Sequence, residues 1–154
     1  MARIVGDIDV PGRPSGVFRF CHDMDRRPDW DERVTRAKII TPKPVRTGTV
    51  IRVDSLPPRG GPVFSWEGAF VTYSYPSSSR LVVIDAAPSS YFANATEEWS
   101  FSRSDGGTQV RLVWEYQPRG ILGRITDPLV TRRSVRRAIN QTLDNLQRAL
   151  QDET

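Results

Sequence analysis

The feature that most restricts how this chain can fold is a change in the period of its apolar residues. From about residue 35 to Tyr116 they alternate with polar neighbours, and beyond Pro118 they recur every three or four positions. The alternating part divides into six runs, 35–42, 48–55, 63–73, 80–88, 92–103 and 108–116. The breaks are short and rich in Pro, Gly, Ser or Asp, as at Pro42-Lys43-Pro44 and Asp105-Gly106-Gly107. Breaks of that length return a strand beside its predecessor, so the runs predict an antiparallel meander. After Pro118-Arg119-Gly120, residues Val135, Ile139, Leu143, Leu146 and Leu150 fall within about 80° on a helical wheel. One helix from Pro128 to Gln151, about 36 Å long, would thus present a single apolar face to the sheet. Asp127-Pro128 reads either as N-cap and first helical residue or as a kink in a helix beginning near Ile121.

Ahead of the meander, residues 3–10 alternate as a strand, and Pro11-Gly12 ends it. Val17, Phe18, Cys21 and Met24 then take helical spacing up to Pro28, and a short second helix is predicted around Asp29 to Val34, anchored by Trp30. The 154 residues, 38% hydrophobic and 26% charged, suit one α+β domain over 1–154 that holds together without staples. Cys21 and His22 are the only thiol and the only imidazole. Their scarcity excludes intrachain disulfides, Cys-rich zinc sites and Fe–S clusters, and neither metal nor cofactor is expected. Cys21-His22-Asp23 is no triad, because consecutive helical side chains diverge by about 100°. Cys21 is expected in the core and His22 at the surface. The N-terminus lacks the apolar run of a signal peptide, which predicts a cytoplasmic protein.

Strand parity nominates the inward residues. Val110, Leu112, Trp114 and Tyr116 share one face of the last strand; Phe64, Trp66, Gly68 and Phe70 form the matching set in an earlier one, with Gly68 a bulge or a gap left for ligand. Trp99 and Phe101 set the parity of the strand between them and carry Glu97 to the same side. Such aromatics serve ordinary core packing or stacking on a flat ring system. An inward Glu97 must sit at a mouth, be paired, or have a raised pKa, in which case it could act as general acid or base on an enolisable ketone. Arg132 falls in the middle of the helix's apolar stripe and Arg136 at its edge, whereas Arg133 and Arg137 point away. Arg132 therefore needs Glu97, another carboxylate or a ligand anion.

Net charge is +4, and its excess is local: from Arg119 to Arg148 seven arginines face only Asp127 and Asp144. A solvated helix face is the expectation. Nucleic acid is not an expected partner, since no exposed aromatics interleave the arginines, and contact with a membrane is a lesser alternative.

Residues 14–30, PSGVFRFCHDMDRRPDW, together with Gly48-Thr49, the hairpin WSFSRSDGGTQVRLVWEY over 99–116 and the Leu-rich C-terminal helix, resemble the polyketide cyclase/dehydrase and lipid-transfer superfamily. The resemblance covers essentially the whole chain. It implies a helix-grip (START-like) fold, in which a curved antiparallel sheet wraps a long C-terminal helix, with two short helices after the first strand. It also implies an internal cavity for a hydrophobic, polycyclic or polyketide-like molecule, with cyclisation or dehydration by acid–base groups; the alternative is a non-catalytic carrier or sensor of a lipid-like molecule. The expected catalytic groups are Glu97 and Arg132, and the expected ligand contacts are Trp66, Phe70, Trp99, Leu112, Trp114, Tyr116, Arg136 and Ile139. Aromatase/cyclase members carry an arginine in the fourth strand. Aligned on Trp66, this sequence has Phe70 there, with no arginine between Gly60 and Ser79, which leaves Arg132 as the candidate substitute from the helix side.

Overall fold

The breaks in the sequence do turn the chain back on itself. In the computed structural model, which describes residues 1–153, the strands are β1 (Ala2–Pro11), β2 (Val34–Ile39), β3 (Val50–Ser55), β4 (Phe64–Ser74), β5 (Ser78–Ala86), β6 (Phe92–Ser104) and β7 (Gly107–Pro118). All pair antiparallel in the order β1-β7-β6-β5-β4-β3-β2. β1 joins the far end of the meander, with Ile4 opposite Trp114 and Gly6 opposite Leu112. Register shifts at Glu67/Gly68, Phe70/Thr72 and Phe92/Asn94 mark bulges, which bend a sheet and increase its twist. Gly68 is thus part of a bulge, and the space beside it is filled: a Cβ there would lie 3.0 Å from both Leu81 Cγ and Trp66 Cζ3.

Because β1 and β2 are opposite edges, the segment joining them must cross from one side of the sheet to the other. It does so through α1 (Pro14–Cys21) and α2 (Arg27–Trp30). α1 packs on β6 and β7, and α2 packs on β2 and the C-terminal helix. Helix α1 buries Val17, Phe18 and Cys21 as its spacing requires.

The C-terminal helix begins at Gly120, earlier than Pro128. It runs as α3 (Gly120–Thr126), one π turn (Asp127–Thr131) and α4 (Arg132–Glu153). Pro128 lacks the N–H that a regular α turn would use, and the wider turn accommodates it inside a continuous helix. Asp127 is accordingly no N-cap. Its buried carboxylate accepts hydrogen bonds from the Tyr116 hydroxyl and from Arg132 Nη2 at 2.9 Å. The predicted apolar stripe of α4 is buried in full: Val135, Ile139, Leu143, Leu146 and Leu150, with Thr142 beside them. It lies across β1, where Gly6 permits close approach, since a Cβ there would come within 2.6 Å of Leu143 Cδ1.

Candidate functional site

Between the concave face of the sheet and α4 lies a cavity of about 40 Å³. That is room for roughly three waters, so a ring-bearing ligand enters only if side chains at the mouth move. Val34, Ala37, Ile51 and Val53 line it from β2 and β3, and Phe64, Trp66, Tyr91, Phe92 and Trp114 from β4, the start of β6 and β7. Val135 and Ala138 of α4 close the cavity on the helix side. A neighbouring depression shares Arg33, Leu56, Pro58 and Ala138 with it, which puts the mouth between the loop after β3 and the helix.

The charged groups of the wall are Arg27, Arg33 and Glu97, and with Asp31 they form a closed ring of charge. Arg27 donates through Nε to Asp31 at 2.9 Å and through Nη2 to Glu97 at 2.8 Å. Arg33 Nη2 lies 2.9 Å from Asp31 Oδ2 and 3.1 Å from Glu97 Oε2. Trp99 Nε1 donates to Glu97 Oε1 at 2.7 Å, and Thr142 Oγ1 to Asp31 Oδ1 at 3.2 Å. The four side chains are no more than 12% exposed, and two positive and two negative charges cancel within the ring.

Burial alone would raise both carboxyl pKa values, but Arg33 and Arg27 outweigh it and hold Glu97 and Asp31 below the ordinary carboxylate range. Burial works against the charge of Arg33 as well, yet Asp31 and Glu97 raise its pKa further above the usual value. Glu97 is therefore ionised and paired, whereas general acid catalysis would need it protonated near neutrality. Tyr91 and Arg33 each keep a donor uncommitted at the wall. Tyr91 accepts from Trp114 Nε1 at 2.9 Å, and its own hydroxyl proton has no acceptor among the described residues. Arg33 Nη1 likewise makes no hydrogen bond among the described residues.

Of the residues nominated from sequence, Trp66, Trp114 and Glu97 face the cavity together. Trp99 stands behind the wall, holding Glu97 and packing edge-on against Trp30 at 5.9 Å. Leu112 and Ile139 are fully buried core away from the cavity, Phe70 packs among His22 and Tyr73, and Tyr116 is spent on Asp127. Arg136 is exposed on the outer face of α4. Arg132 does meet a carboxylate, but that carboxylate is Asp127, and the side chain is 38% exposed outside the cavity wall. Arg132 keeps the register of the stripe, but it is the first residue of α4 and lies a turn before Val135, where the cavity lining begins, and its guanidinium reaches back to Asp127.

His22 corrects a further expectation. It is buried, with Nδ1 2.8 Å from Phe18 O, Nε2 2.7 Å from Ser79 Oγ, and its ring stacked on Phe18 at 4.1 Å. The helical register itself accounts for this: His22 N–H still donates to Phe18 O at 3.1 Å, so its ring lies one turn beyond buried Phe18 on the same face of α1. Burial lowers its pKa to about 4, so the imidazole is neutral, with Nδ1 donating to the carbonyl and Nε2 accepting from the hydroxyl. Burial also pushes the Cys21 thiol up, which leaves it unreactive.

No curated protein matches the sequence. Solved structures do match in fold. A Thermus thermophilus protein superimposes with a TM-score of 0.82 at 16% identity over 99% of both chains. A START superfamily protein from Mycobacterium smegmatis gives 0.78 at 10% identity, again over 99% of both chains. The Zhui aromatase/cyclase from Streptomyces sp. R1128 gives 0.73 at 15% identity, over 96% of this chain and 94% of that one. Residues 1–151 match the family model described as polyketide cyclase / dehydrase and lipid transport, and the chain belongs to that family.

Proposed function

We propose that the protein binds an apolar, ring-bearing small molecule between the sheet and α4 and carries it without changing its bonds. The observation that supports carriage over catalysis is the state of Glu97. Its Oε1 accepts from Arg27 and Trp99 and its Oε2 lies 3.1 Å from Arg33, so two guanidiniums hold the carboxylate ionised and make it a weak base toward a substrate proton. Trp66 and Trp114 supply flat apolar surface. Arg33 Nη1 and the Tyr91 hydroxyl supply donors for one oxygen of the ligand, a carbonyl or a phenol.

Native mass spectrometry of protein purified from its own host tests this reading. The expected result is a discrete added mass, released intact on denaturation and reduced in Ala138→Phe, which narrows the cavity from the helix side. Recovery of the same adduct at full occupancy from Ala138→Phe would overturn the assignment of the cavity. The second reading, cyclisation or dehydration of a polyketide-like substrate, draws on the family and on the free hydroxyl proton of Tyr91. Turnover of a poly-β-ketone that is abolished by Tyr91→Phe or Glu97→Gln would replace carriage with catalysis.

A further inference from the structure

The start of the C-terminal helix leaves apolar surface uncovered. Ile121, Leu122, Ile125 and Leu129 expose between 59% and 78% of their surface, and Val130 beside them 42%. Scattered exposed aliphatics are ordinary on a protein surface, but five within ten residues are not. Ile121, Leu122 and Ile125 fall at i, i+1 and i+4, one face of α3, and Leu129 and Val130 follow in the π turn. No residue of α3 is buried.

The charge around this face has one sign. Arg124, Arg133, Arg136 and Arg137 are exposed, and none makes an ion pair among the described residues. The sole acid from Arg119 to Leu143 is Asp127, which is buried and committed to Tyr116 and Arg132. An apolar face with an unneutralised arginine border therefore projects from the body of the protein on a helix whose continuation, α4, is anchored in the core.

We propose that this face, Ile121 to Val130 with its bordering arginines, docks the protein onto an anionic lipid bilayer. The chemistry is that of an interfacial helix, with aliphatic side chains entering the boundary between headgroups and acyl chains while arginines meet lipid phosphates and carboxylates. A second copy of the chain is disfavoured as occupant, because a two-fold contact would bring two uncompensated arginine sets together. Nucleic acid is disfavoured because the exposed apolar residues are aliphatic and offer no ring on which a base could stack. A protein partner would be expected to find a concave pocket or an aromatic anchor, and this ridge has neither. Docking here also brings the cavity mouth toward the lipid, since Ser134, Arg137 and Ala138 of the adjoining turns border it. The lipid contact itself does not require that the cavity carry a ligand.

Vesicle flotation of the full chain is the test, comparing phosphatidylcholine vesicles with vesicles containing about 30 mol% phosphatidylserine. The expected result is partitioning at least about 10-fold stronger to the anionic vesicles, weakening as salt is raised above ~0.1 M. Leu122→Glu/Leu129→Glu and Arg133→Glu/Arg136→Glu should each weaken it at least about 10-fold, with circular dichroism and thermal midpoint unchanged because all four positions are exposed. Equal partitioning to both vesicle types, or none to either, would overturn the proposal. So would undiminished binding by Leu122→Glu/Leu129→Glu, which would leave a charge contact without insertion. A concentration-dependent dimer that the same double variant dissolves would assign the face to a second copy instead.

Discussion

Replacing Glu97 by glutamine removes one negative charge from a ring that is otherwise neutral, and the consequence can be worked from its geometry. The wild-type carboxylate receives Arg27 at 2.8 Å, Arg33 at 3.1 Å and Trp99 at 2.7 Å. With its carbonyl oxygen in the place of Oε1 the substituted amide could keep the bonds from Arg27 and Trp99, while its NH2 would face Arg33. Asp31 alone would then answer two buried guanidiniums, leaving one positive charge uncompensated. Removing one partner of a buried pair costs about 3–5 kcal/mol. The two retained bonds and the nearby mouth argue for the lower end, about 3 kcal/mol, or a drop in thermal midpoint of roughly 6–12 °C for a chain of this size. Arg33→Met should cost a similar amount by leaving the opposite charge. The double variant Glu97→Gln/Arg33→Met restores neutrality, so its loss should fall short of the sum of the singles by about 1–3 kcal/mol. Urea unfolding followed by tryptophan fluorescence, with equal m-values across the set, measures all three losses. Single losses below about 1 kcal/mol that add within ~0.5 kcal/mol would refute the ring as an electrostatic unit, and Glu97 would again be free for chemistry.

Three further outcomes follow from the same structure. His22 has a folded pKa of about 4 against an ordinary 6.5, so the unfolded chain takes up its proton first and stability falls on acidification between those values, by about 2 kcal/mol at about pH 5. Urea midpoints from pH 7.5 downward should show this loss, and His22→Gln should remove it. The losses from Asp31 and Glu97, whose carboxyls are held below 3.8 and 4.5, come at lower pH. Arg132→Leu should cost about 1–2 kcal/mol by leaving buried Asp127 with Tyr116 alone, while Arg133→Leu, at an exposed position, should leave the thermal midpoint unchanged. Gly6→Ala should cost about 1–3 kcal/mol, because its methyl group would press on Leu143 and Ile139 where α4 crosses β1; an unchanged midpoint would mean that the helix is free to move outward.

The strands were legible because each carries its own evidence: parity fixes which side of β4, β6 and β7 faces inward, and the turn residues fix where each strand reverses. The same parity placed Trp66, Trp114 and Glu97 on one side, and all three meet at the cavity. What parity could not supply was the partner of Glu97. Arg27 lies 70 positions earlier, in a stretch where Arg26, Arg27, Asp29, Asp31, Glu32 and Arg33 read as an exposed polar turn. Charge density alone does not distinguish a solvated turn from a buried neutral ring. The distinction comes from topology: β1 and β2 form opposite edges, so the segment between them has to pass across one end of the concave face. A cation demanded by an inward Glu97 is therefore best sought on that crossing segment, where Arg27 and Arg33 are found. The helix wheel pointed instead to Arg132, and it failed there because a wheel gives direction around the axis and not position along it. Arg132 shares the register of Val135, Ile139 and Leu143, where the wheel matched what is buried, but it is the first residue of α4, a turn short of the cavity lining at Val135, and its side chain reaches back to Asp127.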